Sequence, residues 1–152
     1  MKKIMILASV AFISMNTYAQ KVNTSAIPPA VTQSFSKLYP EVKDVDWEKE
    51  NGNYEAEFEK GKTETSVLFD ASGKVLETEV EINPADLPQP AKDYCNQNFS
   101  SAKISEASKI TAADGRITYE AEVRDQDLIF DAEGHFIKKV VSSKDEKEKE
   151  KD

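Results

Sequence analysis

Tyr54-Glu55-Ala56-Glu57-Phe58 is followed by Leu68-Phe69-Asp70-Ala71-Ser72-Gly73, and both phrases return as Tyr119-Glu120-Ala121-Glu122-Val123 and Ile129-Phe130-Asp131-Ala132-Glu133-Gly134. Self-similarity of this kind marks a repeated supersecondary unit. The stretches upstream match too, with Ile27-Pro28 corresponding to Leu87-Pro88, Val31 to Ala91, Phe35 to Cys95 and Tyr39 to Phe99. The offset is 60 residues from Ile27 to Leu87, 65 from Tyr54 to Tyr119 and 61 from Phe69 to Phe130, so the length changes fall between elements, where surface turns tolerate them.

Pro28-Pro29 opens a stretch in which Val31, Phe35, Leu38 and Tyr39 recur at helical spacing, and Pro40 closes it. Val45 and Trp47 then alternate with Asp44, Asp46 and Glu48, and Asn51-Gly52 supplies a hairpin turn that accepts positive φ. Tyr54, Ala56 and Phe58 alternate with Glu55, Glu57 and Glu59 on the returning strand. Turns at Gly61 and at Asp70-Ala71-Ser72-Gly73 lead into Val67-Leu68-Phe69 and then Val75-Leu76, Val80 and Ile82. The second copy predicts a helix from Pro88 to Phe99 and strands near 103–110, 117–124, 127–130 and 136–141. The expected class is α+β: two tandem helix-plus-four-strand antiparallel units, at 26–82 and 83–141, joined edge to edge in one curved sheet with both helices on one face. One such unit is marginal alone, and joining leaves the other sheet face open.

Met1-Lys2-Lys3, the apolar run from Ile4 to Ile13 and the small residues before Ala19 have the layout of a cleavable signal peptide at 1–19. The run is too short to span a bilayer, which needs about 20 apolar residues. The expected location is the periplasm or the exterior. Losing Lys2 and Lys3 leaves 18 basic against 28 acidic residues and moves the net charge from −8 to −10, a surface that repels nucleic acid. A single cysteine, Cys95, forms no disulfide within the chain. Residues 142–152 carry no apolar side chain and read as a disordered charged tail.

If Val45, Trp47, Tyr54, Ala56 and Phe58 pack on the helix, alternation sends Asp44, Asp46, Glu48, Glu55, Glu57 and Glu59 to the other face. Glu77, Glu79 and Glu81 join them if Leu76, Thr78, Val80 and Ile82 point inward. In the second copy the matching side is milder, with Thr118, Glu120, Glu122 and Arg124, and with Lys138 and Lys139 near the end. The candidate binding face is therefore Asp44, Asp46, Glu48, Glu55, Glu57, Glu59, Glu77, Glu79, Glu120 and Glu122, suited to a basic protein patch, a cationic peptide or a divalent cation. Its competing explanation is a solvated sheet face, since antiparallel sheets are commonly polar on one side. Carboxylates crowded on neighbouring strands repel, which argues for a use.

No catalytic residues, cofactor or metal site are expected. His135 is the only histidine, so neither a histidine-rich metal site nor a Ser-His-Asp triad is available. Cys95 takes the place of Phe35 and reads as a small buried hydrophobe. Asp70-Ala71-Ser72-Gly73 lacks the further ligands of a calcium loop and reads as turn chemistry. Trp47, Tyr54 and Tyr119 read as core through their alternation with Ala56 and Phe58.

Ile27-Pro28, Phe35, Tyr39-Pro40, Val45-Asp46-Trp47, Tyr54 to Phe58 and Val67 to Val75 together resemble the PepSY-like exported proteins of Bacteroides-type bacteria, over most of residues 26–141. The resemblance implies a fold like that of β-lactamase-inhibitory protein, with tandem helix-plus-four-strand units forming a concave sheet. It also implies, through the PepSY domain, a role in restraining peptidases. That inhibitor carries disulfides which one cysteine cannot supply, so a β-lactamase is not the expected target. The expectation is a non-catalytic exported binding protein, an inhibitor or modulator of an exported enzyme such as a peptidase, with an unknown protein or cationic peptide as partner. The alternative is a periplasmic sensor or buffer of cations or cationic peptides.

Overall fold

The computed structural model of the chain describes residues 20–100 and 102–141. The signal peptide expected at 1–19 and the disordered tail expected at 142–152 lie outside the described residues. The elements are β1 (Gln20–Lys21), α1 (Pro29–Leu38), β2 (Asp46–Glu50), β3 (Asn53–Lys60), β4 (Thr63–Phe69), β5 (Val75–Glu81), α2 (Gln89–Asn98), β6 (Ile104–Ala112), β7 (Ile117–Val123), β8 (Gln126–Phe130) and β9 (Phe136–Val141). Short 3-10 turns at Thr24–Ala26 and Pro84–Asp86 precede the two helices. The strands form a nine-stranded sheet in chain order. The class is α+β, two helices with an antiparallel sheet.

The chain divides into two compact units. The first runs to Val80 and includes the turn Thr111–Gly115; the second comprises Glu81–Ile110 and the chain from Arg116 on.

In the first unit, Asn51 and Gly52 hold φ of 51° and 83°, so the two-residue turn between Glu50 and Asn53 twists with its strands and fixes their register. Alternation then places Trp47, Tyr54, Ala56, Phe58, Val67 and Phe69 beneath Ile27, Val31 and Phe35 in one core. Phe35 sits edge-on to Trp47 and to Phe58, with ring centroids 5.4 and 5.2 Å away, an arrangement aromatic quadrupoles favour. At the end of β4, Asp70 Oδ1 accepts the backbone N–H groups of Ser72 and Lys74 at 2.8 and 3.1 Å. That turn lies so close to α1 that a Cβ on Gly73 would collide with the carbonyl oxygen of Ala30.

The second unit repeats the plan with smaller side chains: Leu87, Ala91, Cys95, Ala107, Ala121, Val123, Leu128 and Phe130 form its core. Asp131 Oδ1 accepts from the N–H groups of Glu133 and His135 at 3.1 and 2.7 Å, the same turn as at Asp70. A Cβ on Gly134 would lie 2.7 Å from Pro88 Cβ.

Three expectations about the core need correcting. Of the two residues expected at the end of the helix's apolar face, Tyr39 packs on the core but Leu38 is 50% exposed, because the backbone leaves the helix at Tyr39, with φ of −131°. Val75, not Leu76, packs on the first core: the register jumps between Leu68 and Phe69, pairing them with Glu77 and Val75, so Leu76 is the extra residue of a β-bulge. Ile137 is its counterpart in the second unit, where Ile129 and Phe130 pair with Lys138 and Phe136. Ile82 packs against the second core, because the unit boundary falls at Glu81.

Candidate functional site

The register of β2 to β5 builds the other face of the first unit from two rows of side chains. Glu48, Glu55, Leu68 and Glu77 lie opposite one another in successive strands; Asp46, Glu57, Ser66 and Glu79 form the adjacent row. Six of the eight are carboxylates. Glu48 directly opposite Glu55 and Asp46 opposite Glu57 are like-charge pairs of the sort that destabilise a sheet.

The face was expected to be bare to solvent, and at its centre it is not. Glu55 and Glu79 are 1% exposed, Glu48 and Glu77 8%. Alternation decides which side a residue takes but not how deep it lies. Glu55 and Glu79 stand on interior strands with Glu48 and Leu68 beside the first and Ser66 beside the second, and these neighbours on the same face bury them. Glu57 is half-buried; Asp46 and Glu59 are exposed, as is Asp44, which precedes β2.

Burial has electrostatic consequences. Loss of water pushes the Glu55 carboxyl up to about 8, the Ser66 hydroxyl that donates to it offsets part of this, and Glu57, Glu50 and Glu48 add repulsion. Glu55 Oε1 accepts no hydrogen bond. Glu57 rises to about 7, first by desolvation, then by repulsion from Glu48, with Lys21 opposing. Desolvation and Glu48 also raise Glu50. One carboxylate oxygen each from Glu48, Glu55 and Glu57 lie within 4.8 Å of one another.

In the second unit the rows read Glu120, Ile129, Lys138 and Glu122, Asp127, Val140. Glu120 and Glu122 are half-buried, and Glu122 Oε1 accepts the Ser105 hydroxyl at 2.8 Å. The first unit's Glu77 and Glu79 thus correspond to Lys138 and Val140.

Several participants were not singled out in the sequence. Ser66 and Leu68 belong to the face; the unbroken apolar run Val67-Leu68-Phe69 signals that its middle residue must point away from the helix. Lys21 lies on β1, which pairs with β2, and its Nζ is 3.3 Å from Asp46 Oδ2. A two-residue strand carries no alternation to read.

The remaining chemically capable groups are committed elsewhere. Cys95 is buried in the second core, and desolvation raises its thiol. His135 Nδ1 lies 3.1 Å from Asp131 Oδ2 inside its turn, and Asp131 is held below the usual carboxylate range first by the His135 backbone N–H. Trp47 and Tyr54 are core residues and Tyr119 packs on the second core. Among the described residues no helix is long and apolar enough to cross a membrane.

A duplicated helix-plus-sheet unit with a polar second face defines an α+β protein built by internal repetition. The chain belongs to the PepSY-like family: the profile described as "Putative beta-lactamase-inhibitor-like, PepSY-like" matches residues 13–77 and again 52–138, in two overlapping segments. A BLIP-like protein from Bacteroides fragilis is similar in fold, with TM-score 0.61 at 23% identity over 79% of this chain and 91% of that one. A DUF2874 family protein from Bacteroides uniformis gives 0.66 at 17% identity, covering 74% and 88%. A protein from Bacteroides eggerthii described as a "putative periplasmic" protein gives 0.68 at 15% identity, covering 74% and 87%. No curated protein matches the sequence.

Proposed function

We propose that the protein is a non-catalytic, exported binding module that recognises a positively charged protein segment through the carboxylate face of its first unit. The observation that carries this reading is the pairing of like charges in register, Glu48 opposite Glu55 and Asp46 opposite Glu57. Such pairs weaken a sheet, and a cationic ligand relieves the repulsion. The exposed Asp44, Asp46 and Glu59 are the groups a protein surface reaches first; the buried carboxylates behind them add attraction in a low-dielectric setting. Modulation of an exported enzyme such as a peptidase is the role in which such a face serves best, and the periplasmic description of a structural neighbour agrees with export.

The test is retention of proteins from a periplasmic extract on the immobilised chain, beside a variant carrying Asp44→Asn, Asp46→Asn and Glu59→Gln. The reading expects a partner held at low salt, released at several hundred millimolar salt and lost in the variant. Equal retention by both proteins would contradict it.

A further inference from the structure

We propose that Glu48, Glu55 and Glu57 form a binding site for a hard divalent cation of the calcium type, set into the floor of the first unit's carboxylate face. The site needs no protein partner, so it goes beyond the reading above and is testable apart from it.

Geometry supplies the first argument. Glu48 and Glu55 stand directly opposite each other on β2 and β3, and Glu57 follows two residues after Glu55 on the same face. Their three oxygens converge within 4.8 Å. Two oxygens on one calcium ion, each at about 2.3–2.6 Å, are never more than about 5 Å apart, and the three oxygens meet that condition pairwise. All donors are carboxylate oxygens, with no thiol or imidazole among them, which selects calcium, magnesium or manganese over zinc or copper.

The second argument is independent of the clustering. Glu55 is 1% exposed, and its Oε1 has no hydrogen-bond partner although Ser66 serves the same carboxylate. A buried carboxylate oxygen left in this state is destabilising, and a cation is the partner that removes the cost and the mutual repulsion together. Asp46, Glu50 and Glu64 add negative potential around the trio, and Lys21, which opposes them at Glu57, also pairs with Asp46. Half-buried Glu57 leaves an opening toward solvent for the water molecules that complete a calcium shell.

The protein's own duplication supplies a third. At the offset of the helices, Trp47 corresponds to Ala107 and Glu48 to Ser108; the first pair lies in the two cores and the second is 8% exposed in both. The scaffold therefore accepts a neutral serine where the first unit holds the carboxylate that completes the trio. The second group of potential ligands among the described residues, Asp131, Glu133 and His135, differs in kind: it is largely exposed, and its Asp131 already accepts the backbone of its own turn.

Calorimetric titration of the metal-free protein with calcium, magnesium and manganese in about 150 mM salt tests the proposal, with melting temperature followed in parallel so that a heat-silent event is still seen. The expected result is one site of about 10⁻⁵–10⁻³ M for calcium, the range of exported calcium modules and weaker sensors, and a calcium-dependent rise in melting temperature. Glu55→Gln, which keeps the Ser66 hydrogen bond, and Glu48→Ser, which copies the second unit, each weaken binding at least about tenfold, while Glu133→Gln leaves it unchanged. Absence of both heat and thermal shift in the parent protein overturns the proposal. So does undiminished affinity in Glu55→Gln and Glu48→Ser, or loss of binding in Glu133→Gln.

Discussion

The two units share one plan, yet the first fills its core with Phe35, Trp47, Phe58 and Phe69 where the second uses Cys95, Ala107, Val123 and Phe130. Across the sheet the contrast takes another form. Glu48, Glu77 and Glu79 in the first unit stand where the second places Ser108, Lys138 and Val140. The pattern of apolar alternation, the helix and the Asp-Gly turn is common to both, so those features make the fold. Glu55 and Glu57 return as Glu120 and Glu122, but Glu48, Glu77 and Glu79 do not return, so the fold does not require those three carboxylates.

The core half of the contrast predicts the largest effects. Phe35→Ala removes the ring that Trp47 and Phe58 pack against edge-on and should cost about 3–5 kcal/mol by denaturant unfolding. Cys95→Ala at the matching position removes one sulfur atom and should cost well under half of that. Equal losses would mean that the two cores are not equivalent in the way their sequences align.

Next come the turns that press on the helices. Gly73 holds φ of +84° beside the Ala30 carbonyl, so Gly73→Ala meets backbone strain of about 1–2 kcal/mol and a collision as well. Gly52 has a similar φ of +83° with nothing within 4 Å of a Cβ, and Gly52→Ala should show the strain alone. The difference between the two variants in melting temperature measures the collision.

The acidic face predicts a pH dependence. In the folded, metal-free protein Glu55 titrates near 8 and Glu57 near 7, both above the ordinary 4.5. For groups raised in this direction the stabilising contribution is complete below about pH 4.5 and is lost as pH rises through 7 and 8. Asp70 and Asp131 act oppositely, being held low by the Ser72 hydroxyl and the His135 backbone respectively, so their contribution is lost as pH falls through the acid range. Melting temperature in chelator should therefore decline from about pH 5 to pH 8, and Glu55→Gln should flatten that decline. The smallest effect expected is from Glu48→Ser in chelator above about pH 8, where Glu55 is ionised: a gain of about 0.2–1 kcal/mol as one like-charge pair disappears.

Much of this was legible in the sequence because period-2 alternation is a rigid consequence of strand geometry. Once Trp47, Tyr54, Ala56 and Phe58 are assigned to the helix side, the side taken by Glu48, Glu55 and Glu57 follows. Depth did not follow, since it depends on which strands flank β3 and on how far Leu68 and Ser66 cover it. Nor did the bulge at Leu76, which interrupts the alternation that reading relies on. Leu38 was misplaced for a related reason: helical spacing continues on paper to a residue where the backbone has already begun to leave the helix. The proximity of Lys21 to Asp46 depends on a pairing of only two residues, below the length at which any periodicity shows.

The stability of Glu55→Gln relative to the parent protein, measured by denaturant unfolding once in chelator and once in saturating calcium, bears most directly on why the first unit keeps its buried carboxylates. If they serve a cation, the variant is the more stable protein in chelator and the less stable one in calcium, so the order reverses. A variant that is less stable under both conditions would show that Glu55 supports the fold itself, and the account would be wrong.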